Sequence, residues 1–384
     1  MRPPLYHVHS IFSDGEWNLD QLYMEAKRKK TPIIITDHDT FDAFLSKDFK
    51  PQFNGWLFPG AEFRVYDKQL NKSFEILGYY FDINDNALLT MADSQKKQRY
   101  DAMKNFVNHL NTQMRIKNID HQIDFNDFYS GHPGVIMKTQ LVDYVVKEKK
   151  YFKNKKEFLG FVNSVRDSIR MSDWRRIPAK VCIDKINNAG GFTVLSHPIL
   201  EYKDEAYDQK KVDYDKMSKN DENKFWDSFD RTNIIQGVFK TAERISQRLH
   251  GVWWKGTQTK IPPAQKTKKT KDVELEDFGE QYVKKIGSLI RKTCSYGVDG
   301  IETYIPQEAL RGRYHPKTHV LVEEWVASMN SKPGVHFIKT YGIDWHGNDP
   351  YSLNISSDKM MSIHKSIIRN LQTPSAKLMK RRYN

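Results

Sequence analysis

Short apolar runs that each end in a polar or charged residue recur along the 384-residue chain, and they restrict its fold more than any other feature. The runs are rich in β-branched and aromatic residues, which predicts buried β-strands. Helical patterns separate several of them, and such alternation is typical of an α/β fold with a mostly parallel sheet or barrel. The predicted strands cover residues 5–9, 33–37, 57–62, 74–80, 192–197, 298–304 and 335–344, and the helices between them include 20–29, 179–189 and 319–330.

Two stretches interrupt this alternation. Residues 93–177 carry apolar side chains at helical spacing, which predicts a helical insert. Residues 200–290 are charged, and their segment 255–271 contains six lysines and no acid, a composition typical of a flexible basic loop. The predicted organisation is a discontinuous barrel with two inserts and a basic C-terminal tail: barrel 1–92 and 178–350, helical insert 93–177, charged insert 200–290, tail 351–384.

Composition narrows the partners and the kind of metal site. Lys and Arg total 61 against 48 Asp and Glu, and the net charge of +13 favours a polyanion or a phosphorylated ligand. Cys182 and Cys294 are the only cysteines, so any metal must be held by His and carboxylates, and reducing cytosol is the expected location. No run of about 18 apolar residues is present, which predicts no membrane span.

Two polar motifs follow the first two predicted strands. His7 and His9 end the first strand, and because residues i and i+2 of a strand share a face, both imidazoles can point at one ion. On its own this spacing is weak, since two such histidines are more often incidental. Residues 36–40 contain Asp37, His38 and Asp39 directly after the second strand, where α/β folds place their sites. A helix N-cap is the alternative for the aspartates, but it gives His38 no role.

Four further strand ends carry similar residues. Each residue alone can be explained as a solvated group or a cap. Together with the first two motifs they place five histidines and at least three carboxylates on one rim of the fold. The additional motifs centre on Glu62, Glu75, His197, Asp344 and His346.

With these motifs in this order, the sequence resembles the polymerase and histidinol phosphatase (PHP) superfamily of metal-dependent phosphoesterases. The pattern consists of His-x-His with Ser-Asp-Gly at residues 7–15, Thr-Asp-His-Asp at 36–39, Gly-x-Glu at 60–62, Ser-His-Pro at 196–198 and Asp-x-His at 344–346. The branch most similar acts on nucleotide and RNA 5′ ends. The resemblance implies a distorted (β/α)7 barrel that holds two or three divalent ions, Mn²⁺, Fe²⁺ or Zn²⁺, at its rim.

The resemblance also implies a role for each rim residue. Glu62 bridges two ions, and Glu62, His197 and Asp344 hold the metal-activated water. The implied ligands are His7, His9, Glu62 and Asp344 for one ion, Glu62, Glu75 and His197 for the second, and Asp14, His38 and His346 for the third.

Two positions depart from the pattern of the resembled branch. Relatives usually have His in place of Glu75, which predicts a second site that prefers harder metal ions. The Arg-Pro-His motif of the insert is missing, and His132 and Lys138 are the nearest candidates for binding substrate. Glu302 and Tyr304 also reach the rim, where packing or capping is the expected role and a substrate contact the alternative.

Three functions remain open. The favoured one is a nuclease or nucleotide-end phosphoesterase, because the net charge, the 255–271 loop and the cluster at 377–382 are all basic. A 5′–3′ exonuclease is one form that it could take, and the polarity of attack stays open. The second is a phosphatase of a small phosphomonoester such as histidinol phosphate or a nucleoside bisphosphate. The third is a non-catalytic nucleic-acid-binding module. The sequence has no phosphate-binding Gly-rich loop before Lys-Ser/Thr and no motif of a covalent nucleophile, and it indicates no particular protein partner.

Overall fold

One mixed sheet of eight strands organises the molecule. The computed structural model describes residues 4–165, 176–202, 280–304, 318–330 and 337–341, together with Asp344, His346 and a few residues between 364 and 377. The predicted basic loop at 255–271 and most of the predicted tail at 351–384 lie outside the described residues.

The strands agree with all seven predicted runs and add one short strand. Their order is β1-β2-β3-β4-β6-β7-β8, and β5 pairs with β3. Five of the seven pairings are parallel, and β4 is antiparallel to both of its neighbours. The strands are β1 Leu5–Val8, β2 Ile33–Ile35, β3 Leu57–Asp67, β4 Lys72–Tyr79, β5 Ile177–Pro178, β6 Phe192–Leu195, β7 Gly300–Tyr304 and β8 Ile338–Tyr341.

The antiparallel position of β4 follows from the short turn that joins it to β3. The Asp67 carboxylate accepts a hydrogen bond from the Leu70 N–H at 2.8 Å, and Asn71 takes the left-handed conformation that turns favour, with φ +48°. This hairpin lets β3 continue from its predicted end at Glu62 to Asp67. Its register places Arg64 directly opposite Glu75.

The sheet is curled. β1 and β8 lie at opposite ends of the strand order, and no pairing among the described residues joins them. Nevertheless, His7 Nε2 after the middle of β1 and Asp344 Oδ1 beyond β8 are 3.3 Å apart. The described strands therefore form a half-barrel whose two edges converge at the rim.

Side chains of alternate strand residues fill the inside of the curl, because successive strand residues point to opposite faces. We call this set the inner apolar layer. On several strands the residues nearer the rim on the same face are polar, as in Phe58 followed by Glu62 on β3 and Val194 followed by Ser196 after β6. The inner apolar layer consists of Tyr6, Ile34, Phe58, Leu77, Tyr79, Tyr80, Phe192, Val194 and Ile367.

Helices cover the outside of the sheet. Helix α1 begins with a capping box between Asn18 and Gln21 and ends with three basic residues, both of which stabilise helix ends. Helix α8 begins inside the range predicted for the charged insert, and Ile286 and Leu289 on it are buried in the main core. The helices are α1 Leu19–Lys29, α2 Asp42–Leu45, α3 Asn86–Ile116, α4 Phe125–Ser130, α5 Lys138–Asp143, α6 Lys155–Ser164, α7 Ala179–Asn188, α8 Glu280–Ser295 and α9 Thr318–Asn330.

The helical insert has its own apolar core. Buried residues from Met103 on α3 through α6, such as Leu110 and Phe128, pack on one another in a cluster separate from the main core, whereas Leu88 and Met91 in the first turns of α3 belong to the main core. Gly134 fixes the insert against the loop after β1, because a Cβ there would lie 2.1 Å from the carbonyl oxygen of Phe12. None of the described helices, including the 31-residue α3, has the length and apolar character needed to cross a bilayer.

Candidate metal centre

The nine residues predicted as metal ligands lie together at the rim of the curled sheet, above the inner apolar layer. We call them the rim cluster. Most of their side chains are buried, and every member has a nitrogen or oxygen within 4 Å of another member. The rim cluster is His7, His9, Asp14, His38, Glu62, Glu75, His197, Asp344 and His346.

Glu62 occupies the centre of the rim cluster. Its Oε2 atom lies 3.3 Å from His7 Nε2, 3.5 Å from His9 Nε2 and 3.2 Å from His38 Nδ1. Its Oε1 atom lies 3.1 Å from His197 Nε2 and accepts a hydrogen bond of 2.7 Å from the Ser196 hydroxyl. A carboxylate whose two oxygens face different histidines has the geometry of a bridge between two ions.

The contacts divide the rim cluster slightly differently from the ligand sets implied by the resemblance. His9 lies with Asp14, His38 and His346 in one group and with His7 and Glu62 in another. His38 also belongs to a group with Glu62 and Glu75. Each group brings its ligand atoms within 4.8 Å of one another. His9 and His38 thus lie between neighbouring groups, whereas the resemblance assigned each of them to one ion.

Several atoms of the rim cluster are buried without a hydrogen-bond partner. Buried polar atoms are nearly always hydrogen-bonded, so such a concentration requires an explanation. The three histidine nitrogens lie 3.2 to 3.5 Å from Glu62 Oε2, and Asp14 Oδ1 lies 3.6 Å from the other ring nitrogen of His38, Nε2. Such nitrogen and oxygen atoms are the ligands that divalent metals accept. The residues present therefore fit divalent ions. The atoms are His7 Nε2, His9 Nε2, Asp14 Oδ1, His38 Nδ1 and Glu62 Oε2.

Glu302 on β7 fixes the orientation of His7 from behind. Its Oε1 atom lies 3.0 Å from His7 Nδ1, and because a carboxylate only accepts, the Nδ1 proton faces Glu302 and Nε2 faces the rim cluster, where the neutral imidazole would offer its lone pair. Metal-ligating histidines commonly have such a partner. Glu302 Oε2 also accepts the backbone N–H of His197 at 3.0 Å. Its role is thus to support two predicted ligands; the side chain of Tyr304 lies outside the described residues.

The backbone is unusual at both edges of the half-barrel. His7 has φ +61° and Asp344 has φ +44°, in the left-handed region that non-glycine residues rarely occupy. Each such residue costs on the order of 1–3 kcal/mol, and such strain clusters at functional sites. At His7 it accompanies a register shift in the pairing of β1 with β2, and both His7 and His9 face the rim cluster.

The loop after β1 is tied to β2 by Asp37. The Asp37 carboxylate accepts hydrogen bonds from the Ser10 N–H and hydroxyl, at 2.7 and 2.6 Å, and from the Ser13 hydroxyl at 2.7 Å. Gly15 allows the loop to fold back, because a Cβ there would lie 2.3 Å from the carbonyl oxygen of His9. The Ser-Asp-Gly motif thereby brings Asp14 beside His9.

Mutual ionisation is strong in the rim cluster. Burial lowers the pKa of the His7 imidazole, but the neighbouring carboxylates, Glu302 foremost, outweigh burial and raise it well above its usual value. For His197, burial is again outweighed, mainly by Glu62, and the pKa rises to about 10. Burial also lowers the pKa of His346, but Asp344 and Asp14 outweigh burial and raise that pKa to about 9. Burial raises the pKa of Glu62, but the histidines outweigh it and hold that pKa well below its usual value. Protons on imidazoles thus supply positive charge that divalent ions can replace.

A cavity of about 260 Å³ adjoins the rim cluster on the side of the helical insert. Asp14 and Glu75 form its edge toward the rim cluster, and Arg64, Arg99 and Lys138 line it with positive charge. Its remaining wall is largely apolar and comes from α3 and the segment before α5: Ala102, Met103, Phe106, Ile136 and Met137.

The two predicted substrate contacts have different positions. Lys138 lines the cavity, and its Nζ atom lies 5.7 Å from the centroid of the Phe106 ring. His132 is not among the cavity-lining residues; its ring contacts that of Phe128, with centroids 5.3 Å apart, in the core of the insert.

Two arginines that the sequence analysis did not single out line the same cavity. Arg99 on α3 donates from Nε to Asp39 Oδ2 at 2.5 Å, and Arg64 on β3 pairs with Glu75 at 3.2 Å. Asp39 also accepts the backbone N–H of Arg64 at 2.8 Å. The one sequence signal for Arg64 is its i+2 spacing from Glu62, which places both on one face of a strand.

Comparison with known proteins supports the fold and goes no further. No protein-family model and no curated protein sequence matches the chain. An amidohydrolase from Chromobacterium violaceum, solved with bound sulfate and no metal, has 13% identity and a TM-score of 0.50, over 94% of this chain and 96% of its own. A protein from Bifidobacterium adolescentis described as a "putative metal-dependent phosphoesterase" has 15% identity and a TM-score of 0.48, over 95% and 97%. At 13% identity, the likeness to the amidohydrolase concerns the fold alone.

Proposed function

We propose that the protein is a metal-dependent phosphoesterase of the PHP type, with a distorted (β/α)7 barrel, that hydrolyses phosphodiester bonds of nucleic acid from a chain end. The observation that carries the proposal is the rim cluster, in which buried histidine and carboxylate atoms without hydrogen-bond partners meet beside a cationic cavity. The positive charge of the arginines and the lysine that line the cavity would attract a phosphoryl group. The nitrogen and oxygen atoms of the rim cluster would bind the ions that activate water.

The metal ligands are those that the resemblance implies, and their contacts support it. His7, His9, Glu62 and Asp344 would hold one ion, and Glu75 and His197 would join Glu62 at the second. Asp14, His38 and His346 would hold the third. When bound, the divalent ions would supply an activated water and offset the charge of a phosphoryl group.

The protein's own residues prepare the reaction in three ways. Ser196 and Glu302 fix Glu62 and His7, so that their ligand atoms need no reorientation. Arg64 and Arg99 present guanidinium groups to a phosphate that enters the cavity, and planar guanidinium groups match phosphate oxygens well. Burial of the rim cluster keeps bulk water from the ligands, which strengthens every charge interaction there.

The cavity supports action at an end of the substrate. Its volume of about 260 Å³ is below the roughly 300–1,000 Å³ of pockets for drug-sized molecules, so it holds one compact group. The apolar wall around Phe106 suits the organic part of a terminal nucleotide. The polymer beyond it would be held by basic residues such as those at 255–271, which lie outside the described residues.

The same cavity also supports a second candidate, the phosphatase of a small phosphomonoester. A site that holds one compact group does not need a polymer, and a soluble phosphomonoester fills it equally well. The two candidates differ in whether charge remote from the cavity matters. In the nuclease it contributes phosphate contacts, each worth roughly 0.9 in the slope of log affinity against log salt on duplex DNA.

The deciding experiment replaces the six lysines of 255–271 by glutamine, with a lysine-to-arginine variant as the charge-matched control. The nuclease predicts that the glutamine variant binds oligonucleotides of about ten or more nucleotides less tightly and with a flatter salt dependence. The arginine variant should behave as wild type, and hydrolysis of a chromogenic phosphate ester should change in neither. Equal catalytic efficiency of wild type on a dinucleotide and a 20-mer would instead establish the second candidate.

A further inference from the structure

A positively charged side chain, that of Arg64, contacts Glu75, one of the residues proposed to hold the second ion. Arg64 and Glu75 are cross-strand partners in the β3–β4 hairpin, and Arg64 Nη1 lies 3.2 Å from Glu75 Oε1. Directly opposed residues of an antiparallel pair have side chains on the same face, so this pair is built into the register of the hairpin. Glu75 is also the position where a carboxylate stands in place of the histidine expected from the resemblance.

The two oxygens of Glu75 face different partners. Oε2 lies 3.3 Å from His197 Nε2, within the rim cluster, whereas Oε1 faces Arg64. The guanidinium therefore engages one oxygen and leaves the other directed toward the atoms of His197 and Glu62. This arrangement favours a Glu75 that offers one oxygen, rather than two, to an ion.

Glu201, just after the turn at the end of β6, balances the charge of Arg64. Its Oε1 atom lies 3.1 Å from Arg64 Nη1, and its side chain is 4% exposed. Arg64 thus lies between two carboxylates, Glu201 on one side and Glu75 on the other. Without Glu201, only Glu75, itself a proposed ligand, would offset the positive charge of Arg64 near a divalent ion, and like charges at short range in a partly buried site repel strongly.

We propose that Arg64 and Glu201 are positioning residues for the ion held by Glu62, Glu75 and His197. Arg64 directs one oxygen of Glu75 toward that ion, and Glu201 offsets the repulsion between Arg64 and the ion. The inference rests on the proposed function, since it requires that the rim cluster binds metal.

A different role for Glu201 is a direct metal ligand. Its ligand atom lies within 4.8 Å of those of Glu75 and His197, as a ligand would require. However, Arg64 engages its Oε1 atom, and Lys72 Nζ lies 3.5 Å from its Oε2 atom. With a cation at each oxygen, Glu201 is arranged to neutralise Arg64 rather than to coordinate. The two roles differ in what happens to Glu201 once Arg64 is removed.

The test is a double-mutant cycle read by isothermal titration calorimetry, with Mn²⁺ added to chelator-treated full-length protein. Glu75→Gln identifies the binding step of the second ion. We expect Glu201→Gln to weaken that step by about 10- to 100-fold, the usual effect of removing an outer partner of a metal site, and to change the first ion less than about 3-fold. Glu201→Asp, which keeps the charge, should restore most of the affinity and guards against a folding defect in the glutamine variant.

The decisive comparison is made in the Arg64→Met background. There Glu201 has no arginine to offset, so Glu201→Gln should change the second step less than about 3-fold. Lys72→Met is the matched control, because it removes a cation from Glu201 that does not contact Glu75, and it should leave the second step within about 3-fold of wild type.

Three results would overturn the inference. An undiminished effect of Glu201→Gln in the Arg64→Met background makes Glu201 a ligand. If the protein binds two ions and Glu201→Gln in the wild-type background changes neither binding step, Glu201 has no role in metal binding, while the proposed function stands. Wild-type protein that binds no Mn²⁺ removes the proposed function itself, and the inference with it.

Discussion

The rim cluster and the inner apolar layer are built on the same strands, a few residues apart, yet they are opposite kinds of interior. On β3, Phe58 belongs to the inner apolar layer and Glu62 to the rim cluster; on β4, Tyr79 and Glu75 divide in the same way. The inner layer is complete by itself, because its side chains pack on one another. The rim cluster is also mostly buried but leaves nitrogen and oxygen atoms without hydrogen-bond partners.

This difference shows what each layer contributes. A buried polar atom without a partner costs about 1–3 kcal/mol, so the rim cluster lowers the stability of the metal-free protein where its imidazoles carry no extra proton. The inner apolar layer supplies stability through buried area and close packing. A change in the rim cluster should therefore alter metal binding, and a change in the inner apolar layer should alter the free energy of unfolding.

The largest effect is expected for Glu62→Gln. The change removes charge from the one residue that faces four histidines, so ions should no longer bind, and hydrolysis should fall at least about 10⁴-fold, equivalent to about 5.5 kcal/mol. Elemental analysis and an oligonucleotide assay measure the two effects. Asp299→Asn is a suitable control, because the Asp299 carboxylate bonds Thr193 away from the rim cluster. Wild-type metal content in Glu62→Gln would contradict a bridging role.

Phe58→Ala tests the inner apolar layer. Phe58 is 1% exposed, and its removal should lower the free energy of unfolding by about 3–5 kcal/mol, the usual loss for a large aromatic side chain. Urea unfolding measures this, and Phe58→Leu should lose less. Metal content below the unfolding transition should remain that of wild type. A loss of ions from the folded variant would show that the layers are not separable.

The pH dependence of stability should have opposite signs with and without metal. Because the pKa values of His197 and His346 are raised to about 10 and about 9 in the folded protein, the stability that their protons contribute is fully present below pH ~6.5, the usual pKa of histidine. The metal-free protein should lose that stability, a few kcal/mol, as pH rises from ~6.5 to these folded-state pKa values. Metal binding requires those protons to leave, so the Mn²⁺-loaded protein should gain relative stability over the same range. Urea unfolding at pH 6.5, 8 and 9.5 compares them; parallel curves would mean that these histidines do not bind metal.

Glu75→His should shift metal preference by about tenfold toward Zn²⁺, because imidazole suits zinc whereas carboxylate suits harder ions. The measurement is competition between Zn²⁺ and Mn²⁺ on the chelator-treated protein, with Glu75→Gln as control. Because Arg64 contacts Glu75, the variant also frees that guanidinium, and the total affinity for the second ion should fall. Unchanged selectivity would place Glu75 outside the second site.

The sequence sufficed to locate the strands and the rim cluster. Apolar runs such as residues 33–35 mark strands by composition, and polar residues that follow parallel strands must meet at one edge of the sheet. His7 and Asp344 come together from opposite ends of the chain for this reason. Predicting that these two residues meet required only the order of the strands, and not the structure of the loops between them.

The residues that support the rim cluster could not be predicted in the same way. Arg64 contacts Glu75 only because the β3–β4 hairpin has one particular register, and Glu201 reaches Arg64 from a turn 137 residues later in sequence. Arg99 depends on how the helical insert docks, which close packing at Gly134 decides. Such contacts depend on tertiary geometry that no local pattern encodes.

The smallest effect is expected for the Tyr79 hydroxyl, a polar atom of the inner apolar layer that resembles the rim cluster in having no hydrogen-bond partner among the described residues. This hydroxyl is fully buried. Tyr79→Phe removes that atom and keeps the ring, which packs edge-to-face on Tyr6 with centroids 5.1 Å apart. Since an unsatisfied buried hydroxyl is destabilising, the variant should be more stable by about 1 kcal/mol, with unchanged metal content. Urea unfolding of the metal-loaded protein measures it, with Tyr6→Phe as the contrast, because Tyr6 contacts His364 at 2.9 Å and should lose stability. A loss of metal in Tyr79→Phe would extend the rim cluster down into the layer beneath it.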